Sequence, residues 1–195
     1  MRARMALAVA GLRHEVREVS LKAKPAELLS ASPKGTVPVL VLPDGEVIEE
    51  SRDIMRYALG QTDPEQWLMD WGPEQEALLA RNDGPFKIYL DQYKYPRRFD
   101  GPMETARELG LEILFDLESR LATSPFLVQE RPTMLDVCLF PFVRQFAAVD
   151  PDWFQHVPLE RLRAWLAFFV DGALFAQIMT KYSVWQSEQE PVLAG

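Results

Sequence analysis

Apolar residues come in short bursts over the first sixty positions and then settle into helical spacing through most of the remainder. This change of rhythm predicts an α/β unit followed by an all-helical one. Residues 2–10 are good helix formers that stop at Gly11, which suits a left-handed helix end. Residues 14–19 alternate weakly, as a strand does. Pro25 fits the first turn of a short helix carrying Leu28 and Leu29, and Ser32-Pro33 ends that helix. The apolar run Val37-Pro38-Val39-Leu40-Val41-Leu42, the turn Pro43-Asp44-Gly45 and the run Val47-Ile48 read as a hairpin. Glu50-Ser51 then opens a helix with Ile54, Met55 and Ala58 at helical spacing and Gly60 at its close.

Pro64, Gly72 and Pro73 mark residues 61–73 as a linker, and Trp67, Leu68 and Trp71 imply that it packs against something. The expected domains are 1–60, α/β, and 74–195, all-helical. Residues 103–122 form the clearest helix, with Ala106, Leu109, Ile113, Leu117 and Leu121 in one stripe and Glu104, Arg107, Glu108, Glu112 and Arg120 mostly off it. Further helices are expected over 133–148, 159–169 and 173–182. Every long apolar stretch is interrupted short of the roughly 18 residues that a membrane span requires. The apolar block 5–10 is too short for a signal peptide and is followed at once by Arg13, His14 and Glu15.

Composition narrows the classes further. Hydrophobic residues make up 48% and charged residues 26% of 195, the balance of a soluble globular protein with a real core. Cys138 has no second cysteine to pair with, and with only His14 and His156 it cannot complete a zinc site, so no metal and a reducing cytoplasm are expected. The net charge of −8 lies almost wholly in 63–195, which carries −9 against +1 for 1–62. An acidic chain without a basic stripe is poorly suited to nucleic acid or to an anionic membrane surface.

Several residues are candidates for chemistry. Proline at a strand entry has no N–H to donate, and a cis Val37-Pro38 bond leaves the N–H and C=O of Val37 to face a ligand; an ordinary strand-entry proline is the alternative. Ser51 stands where a helix begins, so its hydroxyl and the neighbouring N–H groups suit a carboxylate, while Glu50 suits an ammonium group. Helix capping is the alternative role for Ser51. Thr133 and Asp136 have the spacing of a capping box, worth about 0.5–2 kcal/mol. Cys138, among Leu139, Phe140 and Phe142, reads as a core thiol.

The succession helix, strand, Lys24-Pro25, Ser32-Pro33-Lys34-Gly35-Thr36-Val37-Pro38-Val39-Leu40, Asp44-Gly45 and Glu50-Ser51 resembles the soluble glutathione transferases, above all the omega-like, cysteine-type classes. The resemblance spans essentially the whole chain and is strongest over 2–60. It implies a thioredoxin-like first domain and an all-helical second one. It also implies that Val37, ahead of Pro38, pairs through its backbone with the cysteinyl part of glutathione, that Glu50 and Ser51 hold the γ-glutamyl end, and that Lys24 reaches the glycine carboxylate. Lys24 read without the resemblance is an ordinary solvated lysine. Glutathione would be the co-substrate, and a small electrophile or a disulfide the second substrate, with Phe86, Tyr89, Tyr93 and Trp185 as its candidate lining. The alternative is a non-catalytic binding or scaffold protein of the same fold. Homodimers are common in the family, while the sequence itself leaves the oligomeric state open.

The family's first strand and catalytic residue, a Cys, Ser or Tyr, precede its first helix, and Met1 to Leu7 resembles the stretch just after them. The catalytic residue is therefore expected upstream of Met1. The alternatives are that another segment fills the strand's place or that residues 1–20 are loosely held, since an unpaired ladder edge is a liability.

Overall fold

In a computed structural model describing residues 1–68 and 71–195, the chain forms two units, Met1–Glu65 with Ala173–Gly195, and Gln66–Gly172. Met69 and Asp70, within the expected linker, lie outside the described residues. The elements run α1 (Arg2–Val9), β1 (His14–Glu15), α2 (Ala26–Ala31), β2 (Leu40–Val41), β3 (Val47–Ile48), α3 (Ser51–Gln61), α4 (Pro73–Arg81), α5 (Lys87–Lys94), α6 (Met103–Arg120), α7 (Met134–Ala147), α8 (Pro151–His156), α9 (Glu160–Val170), α10 (Ala173–Ile178) and β4 (Leu193–Ala194).

The first unit is organised around α1 and α3, which pack against each other. Met5, Ala6 and Leu7 on one side and Ile54, Met55, Ala58 and Leu59 on the other are buried. Alanine at three of the buried α1 and α3 positions keeps the two backbones close, and Ile178 of α10 joins the same core. Residues 1–10 are thus firmly packed.

The hairpin pairs Leu40 with Ile48 and Val41 with Val47, and Gly45 supplies a φ of 91° in its turn. The expected run over 37–42 shortens to the two-residue β2, while Val47-Ile48 forms β3 with its expected bounds. Pro38 has no N–H for a ladder, so pairing starts only at Leu40.

Residues 173–195, expected within the helical domain, belong instead to the first unit. Strand β4 pairs antiparallel with β1, His14 opposite Ala194 and Glu15 opposite Leu193. Val16 N–H donates to Val192 C=O at 2.8 Å, and Trp185 N–H donates to Glu18 C=O at 2.8 Å. The Arg17 guanidinium lies 4.7 Å from the Trp185 ring centre. An edge of β1 is thereby covered by sequence nearly 180 residues away, a pairing that helical spacing through Ile178 does not encode.

The second unit is helical. Helix α7 is buried almost all round and packs against α4, α5 and α9. It carries Pro141 within its span. Between α4 and α5 lies a π-helical turn, Asn82–Phe86, which includes Pro85. Helices α4, α5 and α8 were not delimited by the sequence pattern. At Gly110 of α6 a β-carbon would fall 2.5 Å from Phe146 Cε2, so glycine is what lets this helix meet the aromatic cluster of Phe86, Tyr93 and Phe146. The end of the expected linker is part of this unit: Trp67 is buried, and its C=O accepts from Met134 N–H at 2.9 Å. Among the described residues no helix is long and apolar enough to cross a membrane.

Candidate functional site

The stretch from Ser32 to Pro38 gathers the polar residues of the first unit. Ser32 follows α2, and its C=O accepts from Gly35 N–H at 2.8 Å to form a tight turn. Gly35 has φ 57°, and a β-carbon there would lie 2.9 Å from Leu29 Cδ2 and 3.2 Å from Lys24 Nζ. Glycine is needed on both counts, and the Lys24 ammonium is held over the turn. That ammonium has no hydrogen-bond or ion-pair partner among the described residues.

On the other side of the turn, fully buried Ser32 donates from Oγ to Glu49 Oε1 at 2.5 Å. Lys34 Nζ lies 3.4 Å from Glu49 Oε2 and 3.6 Å from Glu50 Oε1. The hydrogen bond from Ser32, reinforced by Lys34, holds the Glu49 carboxyl below the usual carboxylate range. Glu49 and Glu50 in turn raise Lys34. Carbon-detected NMR titration is expected to find Glu49 ionising below an ordinary glutamate, and Ser32→Ala to move it upward. An unmoved titration midpoint would remove Ser32 as the cause.

Val37 is 46% exposed, and the Val37-Pro38 peptide bond is cis. Among the described residues neither the N–H nor the C=O of Val37 takes part in a hydrogen bond. Ser51 is the first residue of α3, where N–H groups lack intrahelical acceptors. Its hydroxyl has no hydrogen-bond partner among the described residues, and α3 has no side-chain cap at Glu50. The capping alternative for Ser51 is therefore not what the structure holds.

Lys24 and Lys34 are thus brought to the turn that leads into Val37, and Lys34 ties that turn to Glu50, next to Ser51. The arrangement offers two cations, a helix N-terminus with an unused hydroxyl, a carboxylate, and an unpaired peptide group. Sequence reasoning missed Ser32 and Glu49 and gave Lys34 no role, because contacts between a turn and a strand end leave no periodic trace. Among the described residues no group of three His, Cys, Asp or Glu side chains is placed to hold a metal ion.

The aromatic candidates fall elsewhere. Phe86 and Tyr93, expected to line a second-substrate site, are buried in the second unit, with ring centres 5.5 and 4.9 Å from Phe146. Their burial makes them core residues, because rings so enclosed have no face left for a ligand. Tyr89 is half-buried on α5, and Trp185 is half-buried in the first unit against Arg17. Cys138 is fully buried on α7. Asp136, also fully buried, accepts from Thr133 N–H at 2.9 Å and from Thr133 Oγ1 at 2.7 Å, and reaches beyond this local cap to Leu127 N–H at 2.9 Å and Trp165 Nε1 at 2.8 Å.

Comparison with known proteins is consistent across sequence and fold. Residues 1–59 match the glutathione S-transferase N-terminal domain model and residues 97–168 the corresponding C-terminal domain model, together about two thirds of the chain. Glutathione S-transferase omega-1 of Mus musculus is 28% identical over 169 residues, covering 84% of this chain and 68% of that protein. The ternary complex of BphK, a bacterial glutathione transferase, superimposes with a TM-score of 0.78 at 22% identity, covering 91% of this chain and 92% of that one. A glutathione transferase family member from Pseudomonas fluorescens, solved with two glutathione molecules bound, gives 0.75 at 19% identity, covering 91% and 86%.

Proposed function

The chain belongs to the glutathione S-transferase family, and from that premise we propose that its first unit binds glutathione and that the protein uses it as a co-substrate, joining the whole peptide through its thiolate sulfur to an electrophile, or exchanging that thiol with a glutathione mixed disulfide. The observation that carries this reading is Ser51, whose hydroxyl stands at the N-terminus of an 11-residue helix and is engaged by nothing else among the described residues. A carboxylate placed there gains the hydroxyl, the first-turn N–H groups that have no intrahelical acceptor, and the positive end of the helix dipole. Glu50 beside it matches the α-ammonium group of the same γ-glutamyl end. The unpaired N–H and C=O of Val37 match the backbone of the cysteinyl residue. Lys24, held over Gly35, matches the glycine carboxylate. Every charge on the tripeptide then meets its opposite, which is what fixes orientation in a site otherwise open to water.

Titration calorimetry with glutathione tests this. Binding is expected, and Ser51→Ala is expected to weaken it by about 1–3 kcal/mol, the cost of removing a hydrogen bond to a charged group. An unchanged dissociation constant would remove Ser51 from the site. Turnover assays with an electrophile and with a glutathione mixed disulfide separate conjugation from thiol exchange. Binding with neither activity would leave the protein a binder.

A further inference from the structure

We propose that Lys34 is a resident counter-ion for Glu50, which a ligand's ammonium group must displace, and that Glu49 receives the displaced lysine. The proposal rests on the reading of Glu50 as the partner of an α-ammonium group. A single ammonium group, Lys34 Nζ, bridges two adjacent carboxylates, 3.6 Å from Glu50 Oε1 and 3.4 Å from Glu49 Oε2. The two carboxylates are not equivalent. Glu49 is anchored from its far side by Oγ of fully buried Ser32 at 2.5 Å, so its position is set by a donor that does not move with the surface. Glu50 has a side chain 66% exposed, and Lys34 is its only side-chain partner among the described residues.

A ligand ammonium arriving at Glu50 therefore finds the carboxylate already neutralised. Two cations on one carboxylate repel, so Lys34 yields. It does not yield into bare solvent, because Glu49 is within reach already. Deprotonation is no escape, since both carboxylates stabilise the charged form of Lys34. The lysine is 58% exposed, and exposed ion pairs are weak, so the displacement lowers affinity by a few-fold at most. The exchange weighs only on a ligand group that is itself cationic, because a ligand without one leaves Lys34 on Glu50 and loses nothing. Glu49 makes the exchange easier by retaining the lysine.

The test compares glutathione with its desamino analogue, in which hydrogen replaces the α-amino group, by calorimetry on the full chain. The readout is the ratio of the two dissociation constants, which cancels any general change in attraction for the carboxylates that both ligands share. In Lys34→Gln the preference for glutathione over the analogue is expected to rise by about two- to five-fold, because no resident cation opposes the ligand's ammonium. In Glu49→Gln it is expected to fall, because Lys34 then has only Glu50 to hold. The double variant is expected to follow Lys34→Gln, since without the lysine Glu49 has nothing to receive. A ratio that is unchanged or lower in Lys34→Gln overturns the proposal while leaving glutathione binding intact. Equal binding of the two ligands by the unaltered protein removes Glu50 as the ammonium partner and this proposal with it. Absence of binding by either ligand defeats the broader reading as well. A second readout is independent of the variants: the Lys34 side-chain nitrogen resonance shifts on adding glutathione and stays in place with the analogue, and movement with both ligands alike counts against the exchange.

Discussion

Asp136→Ala is expected to cost about 3–6 kcal/mol of folding free energy, read as a lowered denaturation midpoint in urea. The carboxylate is fully buried and accepts four hydrogen bonds, from Thr133 N–H, Thr133 Oγ1, Leu127 N–H and Trp165 Nε1. The threonine hydroxyl can rotate to another acceptor. The two backbone N–H groups and the indole N–H cannot, and each buried donor left unpaired costs about 1–3 kcal/mol. These losses are not strictly additive, but even the lower end is a large share of the 5–15 kcal/mol that usually separates folded from unfolded chains. Asp136→Asn is expected to recover little, because its NH2 group would face one of these donors in place of an acceptor. A loss below about 1.5 kcal/mol for the alanine variant would mean that water reaches the orphaned donors.

Glu118→Ala is expected to be the next most damaging change, at about 2–4 kcal/mol. Glu118 projects from α6, is 7% exposed, and accepts from Leu162 N–H at 2.7 Å and Arg161 N–H at 3.1 Å, with Arg161 Nη1 at 3.3 Å. Those N–H groups belong to the first turn of α9, which has no intrahelical acceptor for them. The carboxylate therefore caps a helix from outside that helix's own sequence, and its charge lies at the positive end of the helix dipole. Glu118→Gln is expected to retain part of the stability, since the amide oxygen still accepts one N–H while the charge is lost. Hydrogen exchange at Arg161 and Leu162 should accelerate in the alanine variant more than at α7. Equal stability of wild type and both variants would show that the cap carries no weight.

The two carboxylates differ in how visible they are in the sequence. Asp136 stands three residues after Thr133 at the head of an apolar run, and this spacing alone identifies a local cap worth about 0.5–2 kcal/mol. The larger cost follows from Leu127 and Trp165, whose approach to the same carboxylate depends on how the chain returns. Glu118 has no such signal: within its own helix it reads as one more charge near the apolar stripe, and only the arrival of α9 explains its burial. The candidate site divides in the same way. Lys24, Val37, Pro38, Glu50 and Ser51 are legible from their order along the chain and from family resemblance. Ser32, Lys34 and Glu49 acquire roles only through contacts made across the turn.

By itself the sequence determined the α/β opening and helical continuation, the hairpin around Asp44-Gly45, the left-handed end of α1 at Gly11, and the family to which the chain belongs. Each is set by conformational preference, periodicity or motif order acting over a few residues at a time, so each is written in local spacing. The tertiary structure alone decided that residues 173–195 complete the first unit through β4, that Phe86 and Tyr93 are core, and that Lys34 bridges two glutamates. Strand pairing, aromatic packing and ion pairing join residues whose separation along the chain carries no period, and they are settled only when competing surfaces are buried together.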